Sequence, residues 1–293
     1  MTVPRRPWLR PLSWSAAYCL LLAVLYAVAV CTPVGQVIDG MSMGVFGWMP
    51  AGTQRAASWF RDELPLVLVL LVVIGAVAAL FRRRPWRALF CLLVPYLVVW
   101  VNTGLRDHLL TRPDFGQAGY AHNTFPSGHV AGSLVVCVSL MVLASLWLRH
   151  PFGRRAVAMA AYVVATGIAV SSVAVYAHRI SDILGGAMLA GAVSVWLLPR
   201  ERLPPLRGAV RSLRTWGTAV ALVAVIIATA VLSRLSGTNA WFAVAVVAGS
   251  AVTCAAVILP AAVTLRPEVP FARPAGTPQP AGGRARRTPR PGA

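Results

Sequence analysis

Eight long runs of apolar residues, separated by short segments that contain most of the charge, constrain this chain more than any other feature of its sequence. A helix needs about 20 mostly apolar residues to cross a bilayer, and it satisfies its own backbone hydrogen bonds there. The runs cover approximately residues 14–34, 65–81, 88–105, 130–148, 156–177, 183–198, 216–235 and 240–265. The pattern predicts an all-α, polytopic transmembrane helix bundle with about eight spanning helices.

The charge of the chain is strongly positive, at a formal +19, and all 27 basic residues are Arg. Such a balance is compatible with nucleic-acid binding, but these arginines lie in short clusters between apolar runs, as charges that orient membrane helices do. We therefore expect no nucleic-acid partner. The five cysteines lie inside apolar runs without metal-ligand spacing, so we expect small buried thiols.

The distribution of Arg predicts the orientation. With a cytoplasmic N-terminus, 21 Arg fall in cytoplasmic segments and six in outer segments. We expect both termini to be cytoplasmic, in an integral protein of a bacterial plasma membrane. Residues 36–64 are expected to form an outer loop that is apolar enough to lie on the membrane surface. The organisation is a cytoplasmic N-terminus (1–13), a transmembrane domain (14–198), an Arg-rich cytoplasmic loop with two extra transmembrane helices (199–265), and a disordered Pro, Gly and Arg tail (266–293).

Polar residues concentrate in three segments at predicted outer helix ends: 106–114, 123–129 and 178–182. In the second segment, Ser127, Gly128 and His129 open a predicted helix, where free backbone N–H groups and the helix dipole favour a phosphate. Gly128 permits close approach of the backbone, and His129 titrates near neutrality and is suited to protonate a leaving oxygen. The alternative makes Ser127 a helix cap and His129 an interfacial side chain.

The third segment places His178 four residues before Asp182. A carboxylate that holds an imidazole fixes its tautomer, which a histidine nucleophile or base requires. The alternative makes Asp182 a helix cap. In the first segment, Arg112 and Arg106 are candidates to grip phosphate oxygens through their guanidinium groups, unless they extend to the membrane interface instead.

Together these motifs resemble the type 2 phosphatidic acid phosphatases, whose site is related to that of vanadium haloperoxidases. That family carries Lys, six residues, Arg-Pro; then Pro-Ser-Gly-His; then Ser-Arg, five residues, His, three residues, Asp. The matching residues here are Arg112 and Pro113, then Pro126 to His129, then Ser171, His178 and Asp182. The resemblance spans roughly residues 65–198 and implies a six-helix phosphatase-like core, with the motifs within 106–182.

The resemblance implies a metal-independent phosphatase, with no metal site and no cofactor, that acts on a lipid phosphate at the outer face, either phosphatidate-like or a polyprenyl diphosphate. His178 would form a phosphohistidine, Asp182 would orient it and His129 would protonate the leaving group. Two family cations are missing, because Leu105 and Ser172 occupy their positions, with Arg106 and Arg179 as candidate replacements. One alternative is therefore a degenerate member that binds or transports a lipid phosphate; the membrane setting disfavours a vanadium peroxidase.

Overall fold

The computed structural model describes residues 8–116, 122–205 and 239–265. Every regular element in these ranges is helical. The helices are α1 (Leu9–Leu25), α2 (Pro33–Met41), α3 (Ala51–Asp62), α4 (Leu64–Phe81), α5 (Pro85–Gly104), α6 (Gly128–Ala144), α7 (Pro151–Ala174), α8 (Ile180–Ser194) and α9 (Asn239–Thr264). Five-residue π-helical turns extend α1 through Tyr26–Val30 and α5 through Leu105–Leu109.

Six helical stretches in the described part are long and apolar enough to cross a membrane: Leu9–Val30, Ala51–Phe81, Pro85–Leu109, Pro151–Ala174, Ile180–Leu197 and Phe242–Thr264. The apolar helix α6 is shorter, at 17 residues. The prediction of an all-α transmembrane bundle is confirmed, and the chain is an integral membrane protein. The segment predicted at 216–235 and the tail predicted at 266–293 lie outside the described residues.

Helix α6 lies at the centre of the bundle, where it packs against α4, α5, α7 and α8. Because other helices surround it, α6 is apolar around most of its circumference, and Leu134, Val135 and Val138 are fully buried. By contrast, α4 leaves Leu66 and Leu70 more than half exposed. A helix with an exposed apolar face of this kind is suited to lipid rather than water.

Small residues on α8 allow α1 and α6 to approach it closely. A side chain at Gly191 would lie 2.7 Å from the Tyr18 ring of α1, and one at Gly186 would lie 2.4 Å from the Ser127 carbonyl oxygen. The Ser15 hydroxyl of α1 also donates to the Ala192 carbonyl at 2.6 Å. This close packing holds the N-terminus of α8 against the N-terminus of α6.

The stretch 36–64 differs from its prediction as a surface loop, because it contains most of α2 and all of α3. Thr32 caps α2 by accepting a hydrogen bond from the Gly35 N–H at 3.0 Å. The side chains of Gln36, Asp39 and Ser42 are buried, whereas the neighbouring Ile38 is exposed. Helix α2 therefore directs its polar face into the protein.

Candidate active site

The N-terminus of α6 provides one wall of the site. Ser127 is the N-cap of this helix, and its hydroxyl accepts a long hydrogen bond, 3.4 Å, from the Val130 N–H. Its own N–H donates to the Asp182 carbonyl oxygen at 2.8 Å, which ties α6 to α8. Gly128 follows, and a Cβ at this position would lie 3.1 Å from the Asn102 side chain. Ser127 can be both a helix cap and part of a phosphate site, since an N-cap residue lies where the helix offers its free N–H groups.

Asp182, in the first turn of α8, is completely buried and lies at the centre of a hydrogen-bond network. Its Oδ1 accepts from the Arg112 guanidinium at 3.1 Å. Its Oδ2 accepts from the Thr124 hydroxyl at 2.5 Å and from the Arg179 N–H at 2.9 Å. A buried carboxylate needs this number of donors, because burial without partners is costly.

His178 and His129 face each other across the site. The His178 side chain is buried, with Nδ1 3.6 Å from Oδ2 of Asp182. Its backbone N–H donates to the Ser172 carbonyl at 3.1 Å, which fixes its position after α7. The two imidazole rings are 6.2 Å apart between centroids, and His129 is exposed. The structure thus brings together both histidines and the aspartate identified from the sequence, with the site open on the His129 side.

Arg112 is buried between two carboxylates. Its two terminal nitrogens each lie 3.3 Å from Oδ2 of Asp39, and one of them also bonds Asp182. Among the described residues, its Nε has no hydrogen-bond partner. The guanidinium group is therefore held in place by two helices, α2 and α8, and it shares the carboxylate of Asp182 with His178.

Asp39 also joins α2 to the first turn of α8. Its Oδ1 accepts from the Ser181 N–H at 2.9 Å, and its Oδ2 accepts from the Ser181 hydroxyl at 2.6 Å. Burial raises the pKa of Asp39, and the negative charge of Asp182 raises it further, against the hydrogen bonds from Ser181 and the charge of Arg112. Beside Asp39, the Ser42 hydroxyl accepts from the Ile180 N–H at 3.1 Å.

The two candidate replacement cations differ in their surroundings. Arg179 is buried next to Asp182, and burial, followed by the positive charge of Arg112, lowers the pKa of its guanidinium group. The Arg106 side chain is 38% exposed and bonds Asp107 at 2.8 Å. At the position of the missing family arginine, Ser172 is fully buried, and its hydroxyl donates to the Ile168 carbonyl of its own helix at 2.8 Å.

Sequence reasoning missed Asp39, Thr124 and Ser181, all of which bond the buried carboxylate–guanidinium cluster. One signal was available: the chain has only eight acidic residues, and Asp39 lies among apolar neighbours. An isolated carboxylate in such a setting indicates a buried partner. In the part of the chain that the structure describes, no three His, Cys, Asp or Glu side chains come together as metal ligands would.

The chain is similar to known proteins in its sequence and in its fold. The model of the PAP2 superfamily matches residues 100–202. The chain is 33% identical over 129 residues to phosphatidylglycerophosphatase B of Bacillus subtilis, and the match covers 42% of this chain and 62% of that protein's length. A crystal structure of a transmembrane PAP2 type phosphatidylglycerolphosphate phosphatase from Bacillus subtilis has a similar fold, with a TM-score of 0.50 and 23% identity. That likeness covers 63% of this chain and 94% of the other.

Proposed function

The chain belongs to the PAP2 superfamily through residues 100–202, and on this premise we propose that it is a membrane phosphatase acting on a lipid phosphate. The observation that carries the proposal is the pair of imidazoles 6.2 Å apart, one of them beside a fully buried aspartate. Two imidazoles on opposite sides of one phosphoryl group are suited to attack it from one side and to protonate the leaving oxygen on the other.

In the first step, His178 attacks phosphorus. A P–N bond forms, the P–O bond to the lipid breaks, and His129 gives its proton to the leaving oxygen. In the second step, His129 takes a proton from water as the oxygen attacks the phosphohistidine, and the P–N bond breaks to release inorganic phosphate. Asp182 lies 3.6 Å from Nδ1 of His178 and stabilises the positive charge that the ring gains when the P–N bond forms. The exposure of His129 gives water access for the second step.

Phosphate oxygens would be bound by the N-terminus of α6, at Ser127 and Gly128, and by the cationic side chains of Arg112, Arg179 and Arg106. Phosphoryl transfer depends chiefly on such positioning and charge stabilisation, and these residues can supply both without a metal ion. The relative from Bacillus subtilis supports a phosphomonoester of a glycerolipid as substrate. A diphosphate of a polyprenyl carrier is the other lipid class that the site would accept.

The test is phosphate release from a glycerolipid phosphomonoester by the full chain in detergent, with EDTA present. We expect turnover in the wild type, none in His178→Ala, and normal turnover in His108→Ala, because His108 is exposed. An alkaline quench with ³²P-labelled substrate should trap a base-stable, acid-labile phosphoenzyme. Loss of turnover in EDTA would contradict the metal-independent mechanism, and full activity of His178→Ala would contradict the nucleophile.

The orientation is part of the same proposal, with the site at the outer face and both termini in the cytoplasm. Its support is the low number of Arg in the segments that carry the site. In intact cells, a membrane-impermeant maleimide should label Asp107→Cys and not Arg200→Cys, two exposed positions at opposite ends of the spanning helices. The reverse labelling pattern would place the site in the cytoplasm.

A second candidate function is binding or transport of a lipid phosphate without hydrolysis. The observation in its favour is that Leu105 and the buried Ser172 occupy two positions where the family has cations. Binding alone does not require a nucleophile with an orienting carboxylate, which favours the phosphatase. Saturable binding of the lipid phosphate without release of phosphate, in the wild-type chain, would favour the second candidate.

A further inference from the structure

Resting on the proposed function, we propose that Arg61, in the last turn of α3, is a phosphate-binding residue of this site and supplies a cation that the motif positions 105 and 172 lack. Neither the family motifs nor the matched region, residues 100–202, contains Arg61. The inference therefore depends on how α3 packs against the rest of the protein.

Helix α3 lies along α7, the helix that leads to His178. The neighbour of Arg61, Phe60, contacts α7 at Gly167, where an added Cβ would lie 3.5 Å from the Phe60 ring. Ser172 is five residues further along α7, which is roughly 7.5 Å at the rise of an α-helix. Its carbonyl oxygen accepts the backbone N–H of His178. The end of α3 thus approaches the part of α7 that contains Ser172, the position where the family has an arginine.

The Arg61 side chain has one unsatisfied buried donor. It is 22% exposed, and its Nη1 lies 2.9 Å from the Asp62 carboxylate. Its Nε is buried and has no hydrogen-bond partner among the described residues. A buried N–H without an acceptor is costly, so such groups usually have a partner in the functional state. Burial lowers the pKa of His129, and the positive charge of Arg61 lowers it further, as expected for a guanidinium group near this imidazole. A phosphoryl group beside His129 would offer acceptor oxygens to this guanidinium.

The charge balance of the site gives a second reason for another cation. Arg112 lies between the carboxylates of Asp39 and Asp182, so its charge is largely balanced before any phosphate binds. A phosphate monoester brings close to two further negative charges. Within the described ranges, Arg61 forms an ion pair with Asp62 alone, whose side chain is 43% exposed and can be solvated by water instead. Arg61 can therefore turn to a phosphate at lower cost than Arg112.

A structural role at the end of α3 explains part of this arrangement but not all of it. A cation in the last turn interacts favourably with the helix dipole, and the pair with Asp62 satisfies one nitrogen. Neither interaction provides an acceptor for the buried Nε. Arg55, in the same helix, is exposed and makes a matched control for the loss of one positive charge.

The experiment measures binding of inorganic phosphate to the full chain in detergent micelles by ³¹P NMR line broadening. Loss of a charged hydrogen bond should weaken the affinity of Arg61→Gln by roughly tenfold or more, while Arg55→Gln stays unchanged. Asp62→Asn, an exposed change that removes the competing carboxylate, should tighten binding. The proposal is wrong if Arg61→Gln binds phosphate as the wild type does, if Arg55→Gln loses as much, or if Asp62→Asn does not tighten binding.

This readout separates the inference from the proposed function, because no turnover is involved. A wild-type chain that binds phosphate through Arg61 but hydrolyses no lipid phosphate would overturn only the phosphatase. Hydrolysis with unchanged phosphate binding in Arg61→Gln would overturn only the role of Arg61. Thermal unfolding without phosphate shows whether each variant is folded before its affinity is compared.

Discussion

Asp39→Asn tests whether α2, which lies outside the family motifs, positions the cation of the site. The substitution preserves the size of the side chain and can still accept the Ser181 N–H, which now donates at 2.9 Å. It removes the carboxylate oxygen that lies 3.3 Å from both terminal nitrogens of Arg112. Because Asp182 still bonds Arg112 at 3.1 Å, the guanidinium keeps one partner and the protein should still fold.

The expected loss of kcat/KM in Asp39→Asn can be worked out from these distances. A hydrogen bond to a charged group contributes about 1.5–3 kcal/mol, and strong ones are about 2.7–2.9 Å long. Contacts of 3.3 Å therefore belong near the lower limit. A loss of about 1.5 kcal/mol in transition-state stabilisation lowers kcat/KM about tenfold. We expect this loss if Arg112 must be held in place to bind the phosphoryl group.

The assay is phosphate release from a glycerolipid phosphomonoester in mixed micelles, with kcat and KM measured separately. Glu201→Gln is the control, because Glu201 is an exposed carboxylate that lies beyond the end of the span Ile180–Leu197, opposite to the end that carries the site. The control should keep wild-type kcat/KM. If Asp39→Asn keeps it too, or if both variants lose it equally, Asp39 does not position Arg112 for catalysis.

Three further outcomes are expected. His178→Gln should lower kcat by several orders of magnitude, as removal of a nucleophile does, whereas His108→Gln should not, measured as phosphate release. Gly186→Ala should destabilise the fold by about 1–3 kcal/mol in thermal unfolding, because the added Cβ would lie 2.4 Å from the Ser127 carbonyl oxygen, which cannot easily move. Gly52→Ala should leave the stability unchanged, because a Cβ there meets no atom within 4 Å. Burial raises the pKa of Asp39 above its ordinary value of 3.8, so the folded protein binds the proton of this carboxyl group more tightly than the unfolded chain does. The resulting stabilisation is complete below pH 3.8 and is lost as the pH rises through the folded pKa. Over that window, the melting temperature of the wild type should fall relative to that of Asp39→Asn.

The spanning helices followed from the sequence because a bilayer imposes one length and one polarity on each of them. The apolar run at 88–105 became the helix Pro85–Gly104, and the run at 240–265 became Asn239–Thr264. The Pro-Ser-Gly-His motif was expected to open a helix, and α6 begins at Gly128. Such features are local, since they depend on neighbours within one helix or one turn.

The contacts around the site were not predictable in the same way. Asp39 bonds Ser181 across a separation of 142 residues, and Thr124 bonds Asp182 across 58. No pattern along the chain encodes such pairs, because they depend on how helices pack after each has formed. Helices α2 and α3 were also missed, since their short length and mixed polarity resemble a surface loop.

The sequence by itself determined that the chain spans a membrane, and it identified the two histidines and the aspartate by their residue types and spacing. Only the tertiary structure decided what surrounds them: a guanidinium held between two buried carboxylates, and a second guanidinium, Arg61 of α3, whose charge lowers the pKa of His129 after the larger effect of burial. The physical reason is that hydrophobic length is a property of one segment, whereas the electrostatic environment of a buried group depends on every segment packed against it.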